Sequence, residues 1–378
     1  MNEIDRWQAP LRPFRYEDKA VTQDFNTYYF SYKKIDYRKG IPVKNISRNK
    51  KISDNTINRA SSYSVAKKYL VFSNSRAIQL SENSTAFSYF SEKYDYSEII
   101  GETSYMYRTG VEFTPQELYM LNGLGKSNSE NKYRFKKKVF ALSKYKVDDM
   151  PENGWELPTE YIYPMLIAPN ISPFFYNIKD EYCIVPYSKQ NIKSPIPEKE
   201  MLLTNKELYL YLSNHIELIN SQSEKSKKMH RGKEFYSLSK IGSYTFAPYI
   251  VAARDNSKFC ATVVKPSRTD WNETKQTICV KHTIIISQKK DGNFISEDEA
   301  YYICGILNSN IVRSYIENTF KSNGYSLNKS NLNLPEYDEK NHLHTEISKL
   351  AKTVTSDTIS YITQKISSLY LEICRQKK

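Results

Sequence analysis

Apolar positions recur at helical spacing in three stretches of this 378-residue chain. Leu208, Leu212, His215, Ile216 and Ile219 follow Thr204-Asn205-Lys206-Glu207, and Ile303, Leu307, Ile311 and Tyr315 follow Ser296-Glu297-Asp298-Glu299. Both tetrads have the hydroxyl-first, glutamate-fourth form in which two side chains satisfy the free N–H groups at a helix start. The third stretch places Leu343, Ile347, Leu350, Ala351 and Val354 on one stripe and Ile359, Ile362, Ile366, Leu369 and Ile373 on another. The pattern predicts one or two amphipathic helices there, broken near Thr355-Ser356-Asp357, started by Asn341 and His344 after Pro335, and packed on the chain's own sheet.

Elsewhere the period shortens. Residues 244–252, 259–264, 276–280 and 283–287 are β-rich runs separated by polar turns, which predicts a mainly antiparallel sheet. Residues 69–72 read as a short buried strand with a turn at Ser73-Asn74-Ser75, residues 139–142 as a strand following a basic run, and residues 182–185 as a strand stopped by Pro186. Thr114-Pro115-Gln116-Glu117 opens a short helix over 116–121 that ends near Gly123 and Gly125. Pro158, Pro164, Pro169 and Pro173 predict an ordered, irregular connection. Together these elements predict an α+β fold with a mixed or mainly antiparallel sheet and a helical C-terminal portion.

Charge narrows the function. Lys plus Arg number 55 against 42 Asp plus Glu, a surplus of 13 that attracts polyanions. The 32 tyrosines, with many Lys, Asn and Ile, match what an AT-rich coding sequence produces, but codon bias does not dictate that surplus. Mean hydropathy is −0.64, and no apolar run approaches the roughly 18 residues a membrane span needs. Residues 1–10 carry no apolar leader, so the expected compartment is the cytoplasm, with no membrane partner. Cys183, Cys260, Cys279, Cys304 and Cys374 show no Cys-x-x-Cys pair and read as reduced, buried thiols.

The common enzymatic signatures are missing from the sequence. There is no phosphate-binding loop of the G-x-x-x-x-G-K-[ST] type, no glycine-rich turn for S-adenosylmethionine, and no Asn/Asp-Pro-Pro-aromatic tetrapeptide. The pair His342 and His344 has no companion at metal-ligand spacing, so no metal is expected. What remains is positive charge interleaved with amides and aromatics: Lys136 and Lys137 in the run 132–138, Lys228, Arg231 and Lys233 in a loop, Lys281 beside His282, and the segment 321–329. Lys and Arg neutralise phosphates, while Asn and Arg read base edges by paired hydrogen bonds. Gly110 and Gly324 are expected to serve turns of positive φ, and Arg254 to pair with Asp255 or Glu273.

Seven segments carry a resemblance spanning Glu102 to Lys352. They run 107–118 (YRTGVEFTPQEL), 161–171 (YIYPMLIAPNI), 182–187 (YCIVPY), 209–215 (YLYLSNH), 242–251 (GSYTFAPYIV), 306–309 (ILNS) and 334–338 (LPEYD). In order and spacing they resemble the C-terminal target-recognition region of adenine-N6 DNA methyltransferases of type IIG-like restriction-modification systems, without the catalytic domain. The resemblance implies an α/β lobe set against the DNA major groove, with base flipping and methyl transfer performed by the missing half. It therefore implies a non-catalytic specificity subunit in restriction-modification or phage defence. Its partners would be double-stranded DNA and a separate methyltransferase subunit, which would hold the S-adenosylmethionine.

Carried across, the resemblance points to the turn at Arg108 and Thr109, the loop at Asn170, Arg254, and the loop holding Asn323, Tyr325, Asn328 and Lys329 as places where such lobes approach DNA. It divides the chain into a basic region at 1–101, a remnant of or docking surface for a methyltransferase domain, a recognition domain at 102–335, and amphipathic helices at 336–378. Two rival readings stay open: a divergent metal-dependent restriction nuclease, and a protein-interaction module built on the C-terminal helices.

Overall fold

The computed structural model describes residues 1, 3–7, 11–16, 19–21, 25–32, 37, 40–49, 62–79, 87–91, 96–127, 129, 131–138, 151, 153–221, 224–228, 230–256, 258–320 and 324–376, with the side chains of 11–16, 19–21, 25, 48, 79, 87–91, 225, 226 and 231 excepted. The fold is α+β with mixed and antiparallel sheets and a helical C-terminal end. The chain forms two compact units, Met1–Ile100 with Asn318–Lys321, and Gly101–Glu317 with Ser322–Lys378.

The first unit is built on a five-stranded sheet in the order Phe25–Tyr29, Glu3–Trp7, Ile41–Arg48, Leu70–Gln79 and Phe87–Ser91. Only the pair Glu3–Trp7 with Ile41–Arg48 is parallel. Alternation puts Ile4, Ile41, Val43 and Ala77 into one apolar cluster and Trp7, Ile46 and Leu70 into another. The strand Leu70–Gln79 runs straight through the turn expected at 73–75, because Ser73, Asn74 and Ser75 pair with Asn45, Lys44 and Val43. An eight-residue partner strand outweighs a local Ser-Asn-Ser preference.

In the second unit, a six-stranded sheet runs Trp155–Pro158, Lys132–Lys137, Met120–Lys126, Glu181–Ile184, Ile162–Leu166 and Ile278–Cys279, and a four-stranded antiparallel sheet runs Ala261–Val264, Ile250–Arg254, Thr283–Ile286 and Arg108–Thr109. Three of the four β-rich runs thus share the antiparallel sheet, while Ile278–Cys279 joins the larger one in parallel with Met165 and Leu166. The proline-rich connection is not irregular. Pro164 sits inside a strand opposite Tyr182, and the parallel neighbour begins only at Met165, so no ladder bond needs the N–H that proline lacks. The helix expected over 116–121 shrinks to Gln116–Tyr119, and Gly123 and Gly125 lie inside the strand Met120–Lys126 that follows. The basic run is itself a strand, Lys132–Lys137, with Tyr133 and Phe135 buried; residues 139–142 lie outside the described residues.

Capping separates the remaining helices. Ser296 Oγ accepts from Glu299 N at 3.2 Å and Glu299 Oε2 accepts from Ser296 N at 3.3 Å, so this box opens a helix as predicted, but the helix ends at Asn308, and Ile311 and Tyr315 of the expected stripe lie on a second helix, Asn310–Thr319. Thr204 does not cap. It ends the helix Glu198–Thr204, its hydroxyl donates to Glu200 O, and Asn205 begins Lys206–Ser213 while its amide donates to Glu160 Oε2 at 2.7 Å. A third short helix, Ile216–Asn220, completes what periodicity read as one. The C-terminal helices are His342–Lys352 and Ile359–Gln376, with Leu343, Ile347, Ile362, Ile366 and Ile373 buried. Asn341 Oδ1 accepts from Leu343 N at 3.0 Å, and His344 Nδ1 accepts from Asp338 N at 3.0 Å. Both therefore start the helix as expected. All five cysteines are buried free thiols, and no helix among the described residues is long and apolar enough to cross a membrane.

Candidate nucleic-acid interface

Three segments of the second unit converge on a cleft of about 470 Å³. Residues 101–106 are laced on one side to the hairpin that ends at Asn293, through Met106 N to Gln288 O (2.9 Å) and Lys290 N to Ser104 O (2.9 Å). On the other side Gly101 N donates to Asn331 O (2.8 Å) and Leu334 N to Glu102 O (2.9 Å). Arg108, Lys290, Asn328 and Asn331 line the cleft with Tyr105 as its buried wall. Arg108 is exposed, with its guanidinium carbon 5.3 Å from the Tyr244 ring centre. The short turn Leu327–Lys329 buries Leu327 and leaves Asn328 and Lys329 exposed. Two of the residues expected at DNA, Arg108 and Asn328, are thus brought together from 220 positions apart. Lys290 and Asn331 complete the set, and neither was expected from the sequence; the Lys289-Lys290 pair before Asp291-Gly292 is the signal that could have found the first of them.

Thr109, half-exposed beside Arg108, leads to the neighbouring end of the four-stranded sheet. Arg254 ends its strand opposite Thr283, and Asp255 N donates to His282 O at 3.2 Å. Of the two carboxylates expected beside Arg254, Asp255 lies 3.5 Å from His282 and Glu273 lies 3.3 Å from Lys275. Tyr325 is buried, edge-on to Phe259 with ring centres 5.7 Å apart, and its N–H donates to Asp255 O at 2.7 Å. It anchors the loop that presents Asn328 and Lys329. Lys281 pairs with Glu112, whose other oxygen takes Lys240 at 3.0 Å. Burial pushes the Glu112 carboxyl up, but the two lysines outweigh it and hold the group below the usual carboxylate range.

Gly110 allows this junction. A Cβ there would lie 2.4 Å from Val280 O and 2.6 Å from Cys279 O, so close backbone approach, not positive φ, requires glycine. Gly324 likewise lies outside the positive-φ glycines and has open space around it.

A second groove of about 410 Å³ gathers Lys136, Lys137, Lys138 and Lys179 with Asn122 and Asp180. Lys138 pairs with Glu181, and Asn170 Nδ2 donates to the other oxygen of that carboxylate at 2.7 Å. The Asn170 amide is therefore committed to Glu181. Lys228 and Lys233 are exposed on either side of the strand His230–Arg231, which pairs with Leu238–Ser239. The Arg231 side chain and all of Asn323 lie outside the described residues. No group of three or more His, Cys, Asp or Glu among the described residues is placed to hold a metal ion. No family model matches the chain, and no curated protein matches it.

Proposed function

We propose that the chain is a sequence-specific DNA-recognition subunit that directs a separate adenine-N6 methyltransferase in a restriction-modification or related phage-defence system. The observation that carries this reading is the cleft in which Arg108 and Lys290 face Asn328 and Asn331. Cations suit phosphates, a carboxamide pairs with the N6/N7 edge of adenine, and both are held on short, backbone-laced segments that fix their register. The surplus of 13 positive charges supports the polyanion as ligand. The resemblance of 102–352 to methyltransferase target-recognition regions supports the partner, which supplies S-adenosylmethionine and the transfer.

The test is methylation of a randomised DNA library by a methyltransferase encoded next to this chain, with and without the chain, read base by base. Methylation at one defined adenine-containing site only when both proteins are present is the expected result. Asn328→Ala should relax the choice of base at one position, while Lys290→Ala should weaken binding across all sequences. Equal methylation by the partner alone would remove the proposal.

A further inference from the structure

The first hundred residues hold 17 Lys and Arg against 11 Asp and Glu, and the duplex face proposed above uses none of them. Register puts rows of side chains across one face of the five-stranded sheet. Trp7, Ile46 and Phe72 form an apolar row, and Thr27, Asp5, Lys44 and Asn74 form the polar row beside it. Tyr29 and Arg76 share this face, because each lies two residues along its strand from Thr27 and Asn74, and so does Glu3, paired opposite Tyr29. Tyr63 also lies over it, with its ring edge-on to Trp7 and centres 6.2 Å apart.

The rings on this face are open. Tyr29 is 46% exposed and Tyr63 52% exposed, and Lys44, Asn74 and Arg76 are exposed as well. Their mountings are fixed: Tyr29 OH donates to Asp5 Oδ2 at 2.9 Å, and Trp7 Nε1 donates to Thr27 Oγ1 at 3.2 Å. Asp5 is 8% exposed, and its second oxygen is buried without a hydrogen-bond partner among the described residues. A buried acceptor without a donor is costly.

Open aromatic rings at one edge of this face, with Lys44 and Arg76 two and three strands across it from Tyr29, fit unpaired bases on a phosphate backbone. Every base has a π-face, so stacking is tolerant of sequence, whereas a duplex keeps its bases stacked on one another and out of reach. We propose that this face binds single-stranded nucleic acid, with bases on Tyr29 and Tyr63 and phosphates against Lys44 and Arg76. The proposal is independent of the duplex-recognition reading, since it uses different residues in a different compact unit.

The test uses the full chain and labelled 20-nucleotide single strands of DNA and of RNA, with the matching DNA duplex, in fluorescence anisotropy at 50 mM salt. Tyr29→Ala with Tyr63→Ala should weaken single-strand binding roughly tenfold or more. Tyr29→Phe with Tyr63→Phe keeps both rings and should bind like the parent. Lys44→Glu with Arg76→Glu should also weaken single-strand binding, and all three pairs should leave duplex binding unchanged. Tighter binding of the RNA or the DNA strand would identify which sugar the face prefers and uphold the proposal. Parental affinity in the alanine pair, phenylalanine variants as weak as alanine ones, or binding of neither strand would overturn it. Ultraviolet crosslinking of a 5-bromouracil strand gives a second readout: crosslinks at Tyr29 or Tyr63 are expected, and crosslinks confined to residues beyond 100 would contradict it.

Discussion

The two units use the same abundant residue in opposite ways. In the second unit most of the described tyrosines are core, Tyr361 being an exposed exception. Tyr211 OH donates to Leu118 O, Tyr236 OH to Ile196 O, both at 2.7 Å, and Tyr187 OH accepts from Leu238 N at 2.8 Å, all of them buried. Each ring fills a large apolar space while its hydroxyl satisfies a buried backbone group. In the first unit Tyr28, Tyr29, Tyr32 and Tyr63 are exposed while Tyr96 is buried, and two described apolar clusters hold four and three buried side chains. Among the described residues the same side chain is mostly packing in one unit and mostly surface in the other. Tyrosine count alone therefore says nothing about function, whereas tyrosine exposure does.

The comparison can be broken first at the aromatic rings. Phe135→Ala, in the continuous core of the second unit and 0% exposed, should cost about 3–5 kcal/mol in denaturant unfolding, while Tyr63→Ala should cost less than about 1 kcal/mol. Similar losses would mean that the exposed tyrosines are structural after all. Gly110→Ala should destabilise by about 1–3 kcal/mol, because its new methyl meets two backbone carbonyls that cannot swing aside as a side chain does.

Hydroxyl deletions sharpen the contrast further. Tyr211→Phe leaves Leu118 O without its buried donor and should cost about 1–2 kcal/mol, whereas Tyr28→Phe, at an exposed hydroxyl, should leave the melting temperature unchanged. The smallest effect concerns pH. Glu112, Glu207, Glu297, Asp298 and Glu346 in the second unit all have carboxyl groups held below their ordinary values, burial opposing the lysines most strongly at Glu112 and the paired lysine dominating at the other four. A carboxyl depressed in the folded state contributes stability that is complete above its unfolded pKa of about 4 and disappears as pH falls through the folded value. Thermal melts of the second unit should therefore decline below about pH 4 and stay flat from pH 5 to 7 for these groups.

Local signals were legible and relayed ones were not. The Ser296 box and the break between the C-terminal helices were readable because every atom involved lies within four residues or repeats at helical period. The Thr204 box misled because Asn205 sends its amide to Glu160, 45 positions away, and the hydroxyl found the preceding turn first. The proline-rich connection misled for a similar reason, since Pro164 is tolerated only because of where the strand Ile278–Cys279 begins. At the proposed DNA face, residue type marked Arg108 and Asn328, but only the backbone lacing of 101–106 makes them neighbours. Tyr325 and Asn170 have the chemistry of base readers; burial against Phe259 and the hydrogen bond to Glu181 turn them inward.

The most direct test of the proposed DNA recognition is selection of bound duplexes from a randomised pool by the intact chain, with affinity followed from 50 to 200 mM salt. One enriched sequence is predicted, with affinity falling roughly 10³ to 10⁵-fold over that range if six to ten phosphates are contacted, and with the choice of base at one position lost in Asn328→Ala. No enriched sequence, or binding indifferent to salt, would contradict it.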